Sequence, residues 1–419
     1  MKENFLLKSE NAAALYREAA RDLPIIDYHN HLSVSDIKKD KKYEDLCELW
    51  LASDPYKHRL MRIMGIDEHF ITGQASPREK LRKYCEAFPY LAGTPVYDWS
   101  RMELFRIFGI EQTPSKENAD YIFDKALEML RSPEFSARGI LSRFSIEKQF
   151  PVAALTDELT DFGGDLAPSL RADALLSPTE ELRHTISERS GIPITDTDSY
   201  IAAIAKILDA FDQKGCRFAD HALDAGFFDG ASEEQMEILI RLGGEYAKRG
   251  WTLLLHMDAK RKTSPRLARI AGPAGGYAAV GGDLNISALA DMLGRVEEKE
   301  GLPSTVLFPL NQSDFAPISV LQGSFPCVQL GAAWWWCDHA MGIRHALDCT
   351  ASYGVLSRFI GMTTDSRSIL SFVRHDYFRR ILCSYLDEKN ERDEWGLSYE
   401  MLADILRGIC YENAKKRIQ

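Results

Sequence analysis

Eight short apolar runs, most of them separated by helical patterns, constrain this chain more than any other feature of it. They cover residues 24–27 (PIID), 151–156 (PVAALT), 166–170 (LAPSL), 216–219 (CRFA), 251–255 (WTLLL), 305–309 (TVLFP), 327–331 (CVQLG) and 359–363 (FIGMT). Continuous apolar runs this short predict strands buried on both faces, as in a parallel sheet. The third run, interrupted by Pro168, is the weakest. Helical spacing occupies 178–189, 198–213, 232–249, 285–299 and 338–353, then 366–386 and 398–417. Strands alternating with helices imply right-handed βαβ units. Eight such strands predict an α/β fold of the closed (β/α)8 kind, a TIM barrel.

The connection across residues 28–150 breaks the rhythm, because it is far longer than an ordinary strand-to-helix link. Helical patterns fill it at 43–53, 54–64, 77–91, 96–109, 115–131 and 133–144. It leaves from the C-terminal end of a strand, so it is expected to pack over the barrel mouth. The expected division is therefore 1–27 (N-terminal helix and first strand), 28–150 (helical insertion) and 151–419 (remainder of the barrel). Two Gly-containing segments, 161–165 and 272–283, look like short linkers.

Composition narrows the partners. Lys and Arg number 51 against 62 Asp and Glu, a net charge of −11. Without a basic block this argues against nucleic acid and against anionic membrane. No apolar stretch approaches the ~18 residues of a membrane span. Residues 1–22 are polar, without the apolar core of a secretory signal. Eight cysteines without a CxxC pair read as reduced, mostly buried thiols of a cytoplasmic protein.

In a (β/α)8 enzyme the chemistry sits at the C-terminal strand ends. The predicted strands are followed in turn by His29 and His31; Asp157 and Glu158; Arg171; Asp220 and His221; His256; Asn311; Trp334 to Trp336; and Asp365 with Arg367. Residues two apart on a strand share a face, so His29 and His31 aim at one point. Alone, His-x-His fits two hydrogen-bonded loop histidines equally well. Barrel closure sets the eighth strand beside the first and adds Asp365, which favours a catalytic divalent-metal site with three protein ligands. Arg171 and Arg367 are candidate clamps for an anionic substrate, with surface ion pairs as the competing role. If the seventh strand continues, Trp334 and Trp336 share a face; stacking on a sugar and plain packing both remain open. Tyr56 reads as a packed aromatic, unless a nearby metal or arginine favours its phenolate.

These residues sit in stretches that together resemble the uronate (glucuronate) isomerase family of the amidohydrolase superfamily. The stretches include 27–32 (DYHNHL), 48–50 (ELW) with Tyr56 and Lys57, 135–139 (FSARG), 169–173 (SLRAD), 219–223 (ADHAL), His256, 309–311 (PLN), 331–335 (GAAWW), 363–368 (TTDSRS), 374–382 (RHDYFRRIL) and 409–414 (ICYENA). The resemblance implies interconversion of D-glucuronate with D-fructuronate, and of D-galacturonate with D-tagaturonate, by proton transfer through a cis-enediol. It implies that His29, His31 and Asp365 hold a divalent metal, with zinc the expected ion and turnover not strictly dependent on it. It also implies that Tyr56 shuttles the proton with Asp365 and His29 in catalytic positions, and that Arg171, Arg367, Asp220, His256, Trp334 and Trp335 form the rest of the substrate site. No NAD is expected, the partner is a small hexuronate, and a homo-oligomer is compatible with this class. Departures from the family pattern fall at Pro55, where His is usual, at 156–159 (TDEL), and at 257–263 (MDAKRKT). The competing activity is a metal-dependent lactonase of sugar acids, which Asn311 disfavours because such hydrolases usually place His there. A non-catalytic uronate binder is the third possibility.

Overall fold

Residues 2–391 and 395–419 are described by the computed structural model; Met1 and residues 392–394, within the first and last expected segments, lie outside them. The strands are β1 (Ile25–Asn30), β2 (Ile146–Ala154), β3 (Ser169–Arg171), β4 (Phe218–Asp224), β5 (Thr252–Lys260), β6 (Ala279–Val280), β7 (Thr305–Pro309) and β8 (Val328–Leu330). They pair in the order β1-β2-β3-β4-β5-β7-β8, all parallel, while the two-residue β6 lies antiparallel on β5. All six residues of β1, all five of β7 and eight of the nine of β5 are buried, as strands packed on both faces require. Helices separate most of the parallel strands, including Thr197–Gln213 before β4, Glu233–Lys248 before β5 and Ile286–Lys299 before β7. The architecture is a (β/α)8-type barrel.

Three local expectations need correction. Residues 359–363 form no regular ladder, and Gly361 among them has φ +85°, so the eighth stave is not a strand in the strict sense. Beside the weak run at 166–170, β3 is displaced to Ser169–Arg171, and Leu166 makes only an isolated bridge to Gln149. Pro168 lacks the N–H that a continuous ladder would use there. The segment 272–283 is no linker: it carries β6, and Gly276 presses against the start of the helix Pro55–Ile63. At Gly276 φ is +74°, and a Cβ would lie 2.2 Å from the Pro55 carbonyl oxygen, so a side chain cannot be accommodated.

Between β1 and β2 run the helices Val34–Lys38, Leu46–Trp50, Pro55–Ile63, Pro77–Ala87, Pro95–Phe108, Ala119–Leu130 and Ala137–Leu141. Polar caps and N-terminal prolines set several of their starts. Asp54 accepts from the backbone N–H of Tyr56 and Lys57, with Pro55 in the first turn, where its missing N–H costs nothing. The same helix is pinned from below by a buried cluster. Lys57 Nζ lies 2.8 Å from Asp54 and 3.3 Å from Glu103, and Trp50 Nε1 donates to Glu103 at 2.6 Å.

The barrel closes through one buried carboxylate. Asp27 on β1 accepts from the Thr364 N–H at 2.7 Å, from Thr364 Oγ1 at 2.7 Å and from Asn30 Nδ2 at 2.7 Å. Thr363 Oγ1 lies 3.0 Å away and the His375 ring 3.2 Å away. Backbone contacts follow: the Asp365 N–H donates to the His29 carbonyl at 3.1 Å, and the His31 N–H to that of Ser366 at 2.9 Å. Burial alone would raise the Asp27 carboxyl, but its hydrogen bonds hold it below the usual 3.8.

Removing that carboxylate strands four polar groups in the core, while Thr363 Oγ1 keeps the His29 carbonyl at 2.7 Å. Asp27→Ala is therefore expected to lose about 3–5 kcal/mol of stability at neutral pH, read from urea unfolding. A carboxyl depressed in the folded state contributes fully above its unfolded value and loses that contribution as pH falls through its folded value. The gap between wild type and Asp27→Ala should accordingly narrow below about pH 4; a gap that widens there would contradict this role.

Candidate active site

The C-terminal strand ends and the helix Pro55–Ile63 enclose one cavity, lined among others by His29, His31, Tyr56, Arg171, His256, Trp334, Trp335, Asp365, Arg367 and Arg374. Nine of the ten site residues expected from sequence face it. The tenth, Asp220, is fully buried just behind the wall.

His29 Nε2 lies 3.2 Å and His31 Nε2 3.1 Å from the same oxygen, Asp365 Oδ1. Ligand atoms each ~2.0–2.1 Å from a tetrahedral ion stand roughly 3.3 Å apart, so this triad fits a divalent ion with little adjustment. Asp365 has φ +45°, a left-handed conformation uncommon outside glycine, at the turn that swings its carboxylate toward the histidines. Burial opposes its ionisation, yet the hydrogen bonds from His29 and His31 hold it well below the usual carboxylate range. Burial pushes His31 below 6.5, with Asp365 opposing. Burial also depresses His29, but the Asp220 and Asp365 carboxylates outweigh it and hold His29 above 6.5.

A second set, His29, Asp220 and His256, also brings ligand atoms together. It is a poor metal site. His256 Nδ1 sits 2.5 Å from Asp220 Oδ1, a hydrogen bond, and Arg171 Nη1 sits 2.9 Å from Asp220 Oδ2. Burial alone would raise Asp220, but His29, Arg171 and His256 hold it far below its ordinary value. With Nδ1 turned to Asp220, His256 leaves Nε2 buried and unpartnered. The His256 ring is itself sandwiched among His29 at 4.6 Å, Phe308 at 4.5 Å and Trp334 at 4.6 Å between centroids.

The two arginines behave differently. Arg171 Nε and Nη2 both reach Asp173 Oδ2 at 2.7 Å, and Nη1 is on Asp220, so the chain's own carboxylates occupy it. Arg367 is exposed on the cavity wall and forms no ion pair among the described residues. The tryptophan triplet does not prolong β8. It enters a short 3-10 turn, Trp335–Cys337, with Trp335 at φ +48°, so strand alternation does not apply. Trp334 packs on His256, whereas Trp336 stands edge-on to Tyr56 at 5.2 Å.

Tyr56 donates to Asp338 Oδ2 at 2.7 Å, and the Arg374 guanidinium lies 5.0 Å from the Tyr56 ring centre. Burial, followed by the Asp338 charge, raises the phenol well above 10. Arg374 does favour the phenolate, as a neighbouring arginine should, but burial and the Asp338 charge outweigh it. Asp338 and Arg374 escaped the sequence reading: Asp338 lay in the 338–353 helical pattern, and Arg374 in an apparently structural helix.

Other strand-end groups turn elsewhere. Asp157 caps the end of β2 by accepting from the Ala154 N–H at 2.8 Å, and Glu158 pairs with Arg189. His221 faces outward to the Tyr246 hydroxyl at 3.0 Å, and burial drives it down to about 4. Asn311 binds Asp283 at 3.0 Å and is absent from the cavity wall, so nothing there substitutes for a histidine ligand. All eight cysteines are free thiols.

The chain resembles known proteins along its whole length. The chain is 35% identical to a uronate isomerase of Bacillus pumilus, over 100% of its own length and 96% of the relative's. It is 36% identical to one from Caldanaerobacter subterraneus, over 99% and 98%. The crystal structure of a Thermotoga maritima uronate isomerase superposes with a TM-score of 0.91 at 28% identity, covering 100% of this chain and 99% of that one. The glucuronate isomerase family model matches residues 1–241 and 231–417, and the chain belongs to that family.

Proposed function

We propose that the protein is an aldose–ketose isomerase of hexuronates, interconverting D-glucuronate with D-fructuronate and D-galacturonate with D-tagaturonate. The observation that carries this is the meeting, in one cavity, of the His29–His31–Asp365 triad, the Tyr56 hydroxyl and several guanidinium groups in a chain of net charge −11. An acid sugar needs that local positive charge to enter against the overall field.

The reaction moves a proton from C2 to C1 and the hydroxyl proton from O2 to O1. It needs an open-chain sugar, a base beside C2 and stabilisation of the enediolate. Asp365, kept ionised by its histidines, is suited to passing a proton between the anomeric hydroxyl and the ring oxygen. Arg367, the guanidinium without a carboxylate of its own, is the group suited to holding the sugar carboxylate. Arg171 is better suited to positioning Asp220 and His256 than to clamping. His256 Nε2 can accept from a substrate hydroxyl. A divalent ion held by His29, His31 and Asp365 would add positive charge near the sugar oxygens without redox change.

Pro55, in place of the family's usual histidine, starts the helix that carries Tyr56, and Tyr56 lines the cavity. Asn311, turned to Asp283, leaves the lactonase alternative without its customary ligand. Eight free thiols suit a reducing compartment.

Incubation with each hexuronate, followed by NMR, should show the corresponding ketose; its absence with all substrates would overturn the assignment. Tyr56→Phe should lower kcat by about 10²–10⁴-fold, the usual worth of a general acid–base group. Arg367→Met should raise KM about tenfold or more with unchanged thermal stability, since Arg367 supports no ion pair. Equilibrium dialysis should find one zinc per chain, bound at least about tenfold more weakly by His31→Ala and more weakly as pH falls, because ligating imidazoles must be neutral.

A further inference from the structure

We infer, building on the isomerase activity proposed above, that Tyr56 and Asp338 form a two-residue proton relay: Tyr56 faces the sugar, and Asp338 behind it takes up and returns the phenolic proton.

The geometry sets the direction. Tyr56 lines the cavity, and its hydroxyl donates to Asp338 Oδ2 at 2.7 Å. Asp338 is 4% exposed and does not line the cavity, so it reaches substrate only through Tyr56. A carboxylate buried this deeply for structural reasons alone normally has both oxygens satisfied. Here Oδ1 has no hydrogen-bond partner, and the Arg374 guanidinium stands 3.6 Å from Oδ2, beyond a good hydrogen bond. Arg374 is held instead over the rings of Trp99 at 4.0 Å and Tyr56 at 5.0 Å.

A phenol held above 10 cannot take a proton from carbon while keeping its own. The relay removes that obstacle in one concerted step. The C2–H bond breaks as a proton moves to the Tyr56 oxygen, and the Tyr56 O–H bond breaks as its proton moves to Asp338 Oδ2. The C2–H electron pair becomes the C1=C2 bond, and the carbonyl at C1 takes the negative charge. On the return, Tyr56 protonates C1, Asp338 gives its proton back, and the hydroxyl proton at O2 passes to O1 as C2 becomes the carbonyl. Atoms and charge balance, with no outside reactant.

The charged and titratable neighbours suit the task. Tyr56 comes from the helix Pro55–Ile63, Arg374 and Tyr377 from the helix Val373–Glu391, and Asp365 from the turn after the eighth stave. Burial, then the Asp365 charge, raises Asp338, while Arg374 and Tyr56 oppose, leaving it at about 7. Both of its protonation states are therefore accessible at neutral pH. As Asp338 must start ionised, wild-type kcat should fall as pH drops below about 7.

The test is steady-state kinetics across pH with D-glucuronate for wild type, Asp338→Asn and Asp338→Glu, each checked for folding by circular dichroism and thermal melting. Asp338→Asn keeps an acceptor for the Tyr56 hydroxyl but cannot take its proton. It should lose about 100-fold or more in kcat, with KM within about threefold, and should lack the acidic limb. Asp338→Glu should recover at least about tenfold of that loss and restore a limb. If Asp338→Asn folds and keeps wild-type kcat with the acidic limb intact, the relay is overturned while the isomerase assignment stands. If Asp338→Glu is as slow as Asp338→Asn, or if the loss falls on KM with the limb unchanged, Asp338 merely orients Tyr56 and the relay is again overturned. If wild type forms no ketose, the activity itself falls.

Discussion

The hydrogen bonds that converge on Asp27 hold together what the backbone alone leaves loose. Seven staves of the barrel are joined by regular parallel ladders, and the eighth is not. In its place one buried carboxylate gathers the Thr364 N–H, two threonine hydroxyls, an asparagine and a histidine. These groups come from β1, the eighth stave and the helix Val373–Glu391, so a single side chain sets the register among three elements. Only with that register does Asp365 arrive 3.1–3.2 Å from two imidazoles. The closure is structural, but its product is chemical.

A second level of organisation lies in how positive groups are assigned. Arg171 is paired by Asp173 and Asp220, and Arg374 is stacked on aromatic rings beside Asp338. Arg261, also on the cavity wall, is paired with Asp224. Arg367 carries no such pairing among the described residues. In a low-dielectric cleft an unpaired guanidinium is available to a ligand carboxylate, whereas a paired one positions its own carboxylate. The three carboxylates of the centre are tuned apart by the same logic. Asp220 and Asp365, surrounded by cationic or hydrogen-bonding partners, stay ionised, while Asp338, with fewer, lies at about 7.

The sequence by itself determined the alternation of strand and helix, most strand positions, the length of the excursion between β1 and β2, and the residues that reach the mouth. These are legible because apolar runs, periodic spacing and caps are local properties, and because strand order in a barrel places the last stave beside the first. The His29, His31 and Asp365 grouping followed from that closure argument without coordinates. What only the tertiary structure decided are matters of competition and long-range contact. That residues 359–363 form no ladder, and that Thr363 and Thr364 bind Asp27 across more than 330 residues, no local pattern can say. That Arg171 is spoken for depends on Asp173 and Asp220 folding around it, and a spacing pattern cannot say which of many carboxylates will win a guanidinium. The Tyr56–Asp338 pair joins residues 282 apart, and the Gly-rich 272–283 segment became part of the cavity wall because Gly276 fits where no side chain could. Local physics writes the elements; the burial of unlike charges against one another, which needs the whole fold, writes the site.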